Sequence, residues 1–172
     1  MTQESKLAIK KECERQEESC LYTSTCLYLL SRNNRRLGNI VTVVQIVAGV
    51  LITTKQLEKS WNATGITWYS FIGLSVLVTC MPLINKHFRL SELSHELLIL
   101  AGKFKNLQDD FRRLKEIGST YEYKDYKKDY ELALKELKSL KSQCPETSSV
   151  YNEADKQIKS GKYTFTTDEI AE

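Results

Sequence analysis

Residues 37–54 read LGNIVTVVQIVAGVLITT, eighteen positions without a charge, and residues 60–85 read SWNATGITWYSFIGLSVLVTCMPLIN, twenty-six more without one. A helix that crosses a bilayer core takes about 20 mostly apolar residues, with a range of roughly 17–25. A core helix of a soluble bundle keeps a polar face with charges every turn or two, and neither run has one. A strand of such length is atypical. The two runs are therefore predicted to be membrane spans, at 37–54 and about 64–85, joined by a short connector into a hairpin.

Charge gives the hairpin an orientation. The flanks carry Arg32, Arg35, Arg36, Lys86, Arg89, Lys103 and Lys105, whereas the connector offers Lys55 and Lys59. Basic residues collect on the cytoplasmic side, so both termini are expected there, with the chain multi-pass in the inner (plasma) membrane and the lipid bilayer as its first partner. Trp61, Trp68 and Tyr69 would lie near the outer interface. The first run begins too late and behind too long a charged region for a signal peptide.

Working outward, residues 1–36 read as a cytosolic helix. Cys13, Cys20 and Leu27 recur every seven positions with Ile9 one turn earlier, and Ser31-Arg32-Asn33-Asn34 is a candidate bend. On the other side, Leu93, Leu97, Leu100, Phe104, Leu107, Phe111 and Leu114 are spaced 4, 3, 4, 3, 4, 3, which is three unbroken heptads. Gly118-Ser119-Thr120 interrupts them. The pattern resumes at Tyr123, Tyr126, Tyr130, Ala133, Leu137 and Leu140, and Cys144-Pro145 stops it. A short last helix is predicted over about 147–160, with Gly161 as its C-terminal cap. The expected fold class is thus an all-α membrane protein: a two-transmembrane helical hairpin (37–85) with a cytosolic helical, coiled-coil bundle (1–36 and 86–160) and a tail (161–172). The seven seam residues from Leu93 to Leu114 are the candidate oligomerisation residues. Packing onto the N-terminal helix of the same chain is the other reading, and the expectation combines the two: the N-terminal helix, the long heptad helix and neighbouring subunits share one cytosolic bundle.

Composition closes off several function classes. The 172 residues carry 25 Lys plus Arg against 22 Asp plus Glu, a net charge of +3, which argues against direct nucleic-acid binding. From residue 86 onward, 16 basic and 16 acidic side chains balance. Five cysteines without a signal peptide argue against a disulfide-stapled secreted fold. His87 and His95 are eight apart, whereas a metal pair on one helix face prefers three or four, so no metal and no cofactor is expected. No phosphate loop, nucleophile elbow or Cys-x-x-Cys is present, so no catalytic residue is expected and the chain reads as a non-enzyme.

The remaining signal lies in the first run. Asn39, Thr42, Gln45, Gly49 and Thr53 fall along one flank at helical spacing and are the candidate pore-lining residues. Gln45 is the long polar side chain deepest in the run, and it needs a partner or water. Helix–helix adhesion is the competing reading. Ser75 and Thr79 form a small-xxx-small pair, and Pro82 frees the carbonyl of Val78.

The layout resembles the SLATT family, the two-transmembrane domains associated with SMODS and SLOG domains in prokaryotic conflict systems. The resemblance is carried by Tyr28-Leu29-Leu30 through Arg35-Arg36, by Phe88-Arg89-Leu90, by the seam from Leu97 to Leu114, and by Tyr130 with Leu134 to Leu140. It implies a membrane effector that oligomerises and opens a pore, depolarising and killing or arresting the cell in antiviral defence by abortive infection. It also implies a separate nucleotide-signalling or sensor protein as trigger. A non-conducting membrane anchor whose bundle recruits a partner protein is the alternative.

Overall fold

The computed structural model describes residues 2–57, helical positions 73, 75, 76, 78–80 and 82, residues 90–117, 120 and 122–161, with side chains left aside at 2, 51–57, 90 and 91. Its regular elements are all helical: α1 (Thr2–Leu57), α2 (Leu90–Ile117), α3 (Tyr123–Lys141), a 3₁₀ turn (Ser148–Val150) and α4 (Tyr151–Lys159). The chain divides into two compact units, Met1–Ser31 with Glu96–Glu172, and Arg32–His95.

The first unit is built from three apolar stripes that meet. Cys13, Cys20 and Leu27 of α1, all fully buried, join Leu97, Leu100, Ala101, Phe104, Leu107 and Phe111 of α2 and Ala133, Leu137 and Leu140 of α3 in one core. Each stripe repeats at three and four residues, the spacing that keeps side chains on one helix face. Phe111 and Tyr130 meet edge to face, centroids 6.5 Å apart. The break after Ile117 is closed by the Thr120 amide donating to the Ile117 carbonyl at 2.9 Å. Basic Lys138 and Lys141 in the last turn of α3 complement its dipole.

A second, smaller core fastens α4 back onto α1: Val150 and Ala154 pack with Cys26 and Leu29. Gly161 takes φ 71° two residues past the end of α4, just beyond its cap Ser160, and its amide donates to the Ile158 carbonyl at 3.1 Å. That left-handed position favours glycine.

Four expectations are corrected. The fold is all-α, but among the described residues no helix is long and apolar enough to cross a membrane. That finding overturns the two-transmembrane hairpin, the description of the chain as membrane-bound and pore-forming, and the multi-pass inner-membrane location. The uncharged run of α1, 37–54, makes about 27 Å of helix at roughly 1.5 Å per residue. A hydrocarbon core is about 30 Å thick. Polar Asn39, Thr42 and Gln45 interrupt it. Of the second expected span, about 64–85, only scattered helical positions are described, and Trp61, Trp68, Tyr69 and His87 lie outside the described residues. The bend expected at 31–34 is also absent: α1 is helical throughout. Its first glycine comes only at Gly38, and Ser31 is buried, so nothing in the stretch forces the backbone out of helix.

Candidate interaction surfaces

Within the first unit, polar contacts fix the helices that frame the surface. Lys115 of α2 reaches Glu17 of α1 at 2.8 Å across a half-buried contact. The Tyr22 hydroxyl donates to Asp155 Oδ1 at 2.9 Å, Lys159 holds the other oxygen of that carboxylate at 2.8 Å, and the Tyr22 and Tyr151 rings stack with centroids 5.7 Å apart. The ammonium of Lys159 and the Tyr22 hydroxyl together hold the Asp155 carboxyl below its usual value. Deeper in, Tyr126 donates to the sulfur of Cys13. Burial pushes the Cys13 thiol up to about 11, and Cys20 likewise to about 11. Such thiols stay protonated and pack as apolar groups. Among the described residues no group of three or more potential ligands could hold a metal ion.

The candidate oligomerisation residues sit mostly inside the chain's own bundle. Leu97, Leu100, Phe104, Leu107 and Phe111 are buried there, Leu114 packs at its edge, and Leu93 is exposed. Phe104 and Phe111, bulky for a two-stranded coil, fit because small Cys13, Cys20 and Ala133 share their core.

The pore-lining candidates do not gather round a common polar centre. Asn39 and Thr42 are exposed, and the Thr42 hydroxyl donates to its own helix at Gly38, 2.9 Å away. Gln45 is half-buried, and its Nε2 has no hydrogen-bond partner. A Cβ on Gly49 would meet nothing within 4 Å. Thr53 lies among the residues whose side chains are left aside.

A different face of the same helix is the larger feature. Ile40, Val43, Val47 and Val50 are spaced 3, 4, 3, and every one of them is more than half exposed. Leu37 and Val44 flank this seam and are also exposed. No charged residue interrupts the helix from 37 to 50. Monomeric proteins seldom expose contiguous apolar surface without a partner for it.

The first unit carries three clefts. One, about 420 Å³, lies between α1 and α2 and is lined by Leu21, Tyr28, Leu98 and Ala101, with Gly102 leaving room beside them. The Ser24 and Thr25 hydroxyls on its wall both donate to the Leu21 carbonyl, and Lys105 is the one charged side chain in its lining. A second, about 750 Å³, is lined by Lys6, Lys10, Lys115, Glu4, Leu7 and Tyr126. A third, about 420 Å³ between α2 and α3, is lined by Asp110, Asp129, Glu136, Arg113, Leu114, Leu132 and Ala133. None of these clefts is foreseeable from spacing alone, because each joins helices far apart in the chain. No protein-family model matches the chain, and no curated protein and no solved structure matches it, so the resemblance to the SLATT family rests on the residue layout alone.

Proposed function

We propose that the chain is a helical assembly module: copies associate through the exposed seam of α1, and the first unit serves as a folded head that receives a partner protein. The exposed seam of Ile40, Val43, Val47 and Val50 carries the reading. Heptad-spaced β-branched residues suit knobs-into-holes packing against another helix, and an uncharged helix face needs an equally uncharged partner. A second copy of α1 presents that same face. The heptads of α2 are occupied within the chain, so the α1 seam is the one left to join chains among the described residues.

Sedimentation velocity on the full chain tests it. Val43→Glu with Val47→Glu puts charge into the seam, and burying such a charge unpaired costs several kcal/mol. The double variant should sediment as a monomer with unchanged helicity, while the wild type sediments as an oligomer. Equal sedimentation of the two overturns the proposal. So does recovery of the wild type as a monomer that floats with phosphatidylglycerol vesicles, which would make lipid the occupant of the seam.

A further inference from the structure

We infer that each copy of α1 is covered by two neighbours rather than one, so that the chain assembles as a closed bundle of about four to six copies. Such a bundle presupposes the association through α1 proposed above and extends it to both flanks of the seam. In heptad positions, Ile40 and Val47 stand at a, and Val43 and Val50 stand at d. Two-stranded coils favour a β-branched residue at a with Leu at d, whereas β-branched residues at both positions favour three or more strands. Both d residues here are Val. The positions beside the seam agree. In a two-stranded coil e and g lie at the wet edge and are commonly charged. On α1 the e positions are Leu37 and Val44 and one g position is Ile46, which are 56%, 42% and 62% exposed. The other g position is Asn39, also exposed and also uncharged.

The width of this face sets the number of copies. Successive residues turn by about 100° around a helix axis. Leu37, Ile40, Val44 and Val47 therefore centre on one direction, and Val43, Ile46 and Val50 centre on another about 105° away. The remaining side of the helix is already covered within the chain: Ala48 is buried, and Gly38, Val41 and Gln45 are half-buried. One neighbour on each exposed flank closes a ring when the rotation allows. The angle between the two flanks is then the corner of the ring, about 90° for four copies, about 108° for five and about 120° for six. A single partner helix would cover one flank and leave the other apolar flank in water, the arrangement that monomers and dimers avoid.

Native mass spectrometry and sedimentation velocity on the full chain test it. The wild type should have the mass of about four to six chains. Leu37→Glu with Val44→Glu, and separately Ile46→Glu, leave every a and d residue in place. Each closes one flank to its neighbour, because an unpaired charge would be buried there, and each should cut the assembly to dimers or monomers. Glu is a good helix former, so helicity by circular dichroism should be unchanged. A wild-type dimer or trimer overturns the inference and leaves association through α1 standing. So does a flank variant that keeps the wild-type mass, since the edge positions of a two-stranded coil stay in water. A monomeric wild type overturns both the bundle and the association it presupposes.

Discussion

Cys13 and Cys20 show how burial sets the chemistry of a side chain. Both face the core between α1, α2 and α3, and burial raises both thiols from 9.0 to about 11. The neutral form is the one that fits the core. In the unfolded chain the thiols ionise near 9.0, so between about 9 and 11 the unfolded state releases protons that the folded state retains. Stability therefore falls as pH rises through that window. Urea unfolding under reducing conditions should show a midpoint that is flat below pH 8 and declines above 9. Cys20→Ala, which removes one of the titrating groups, should make the decline shallower. A midpoint independent of pH up to 11 would refute the assignment. Gln45 is the opposite case, a polar group with a buried, unpartnered Nε2. An unsatisfied buried donor costs about 1–3 kcal/mol, so Gln45 detracts from the stability of the segment that contains it.

At the scale of elements, α2 and α4 hold the first unit together by different means. α2 does so through its seam, and two charges introduced there have no route to water. Leu100→Glu with Leu107→Glu should therefore unfold the bundle, seen as lost helicity and lost cooperative melting, and not merely dissociate folded chains. A folded double variant would place the seam at the surface instead. α4 is short, and its apolar anchorage is small: Val150 and Ala154 against Cys26 and Leu29. Its surface clasp is the Tyr22–Asp155–Lys159 group. The Asp155 carboxyl is held below its usual 3.8, first by Lys159 and then by Tyr22. With a depressed carboxyl, the clasp contributes above the usual carboxyl range and is lost as pH falls through the folded value. Tyr22→Phe removes one of the two donors. In NMR titration the Asp155 carboxyl should then move up toward 3.8, and α4 amides should exchange faster. An unmoved titration would leave Lys159 as the sole cause.

For the whole molecule, the division at Ser31/Arg32 and His95/Glu96 separates two kinds of apolar surface. In the first unit the heptads of α1, α2 and α3 are consumed by one another. In the second, the seam from Ile40 to Val50 remains exposed. Variants of the two surfaces should thus fail differently: Glu in the α2 seam abolishes the fold, and Glu in the α1 seam abolishes the assembly while the bundle melts as in the wild type. Differential scanning calorimetry beside sedimentation separates these outcomes.

Helix type and register were legible without coordinates. The spacing of Cys13, Cys20 and Leu27, of Leu97 through Phe111, and of Tyr126 through Leu140 specifies which faces are buried, because a 3.6-residue period leaves a helix one face to bury. The stop at Cys144-Pro145 and the cap at Gly161 are local chemistry and are equally visible. What covers each face was not legible. A heptad seam is satisfied equally by a neighbouring chain or by its own, and only the meeting of α2 with Cys13 and Ala133 decides for its own. The uncharged run at 37–54 showed apolar character but not its environment. The fold carries it as the continuation of a 56-residue helix, and among the described residues no helix is long and apolar enough to cross a membrane. The clefts and the Tyr22–Asp155 clasp join residues as much as 133 positions apart, and a periodic sequence says nothing about such distant meetings, since they arise only when whole helices have packed.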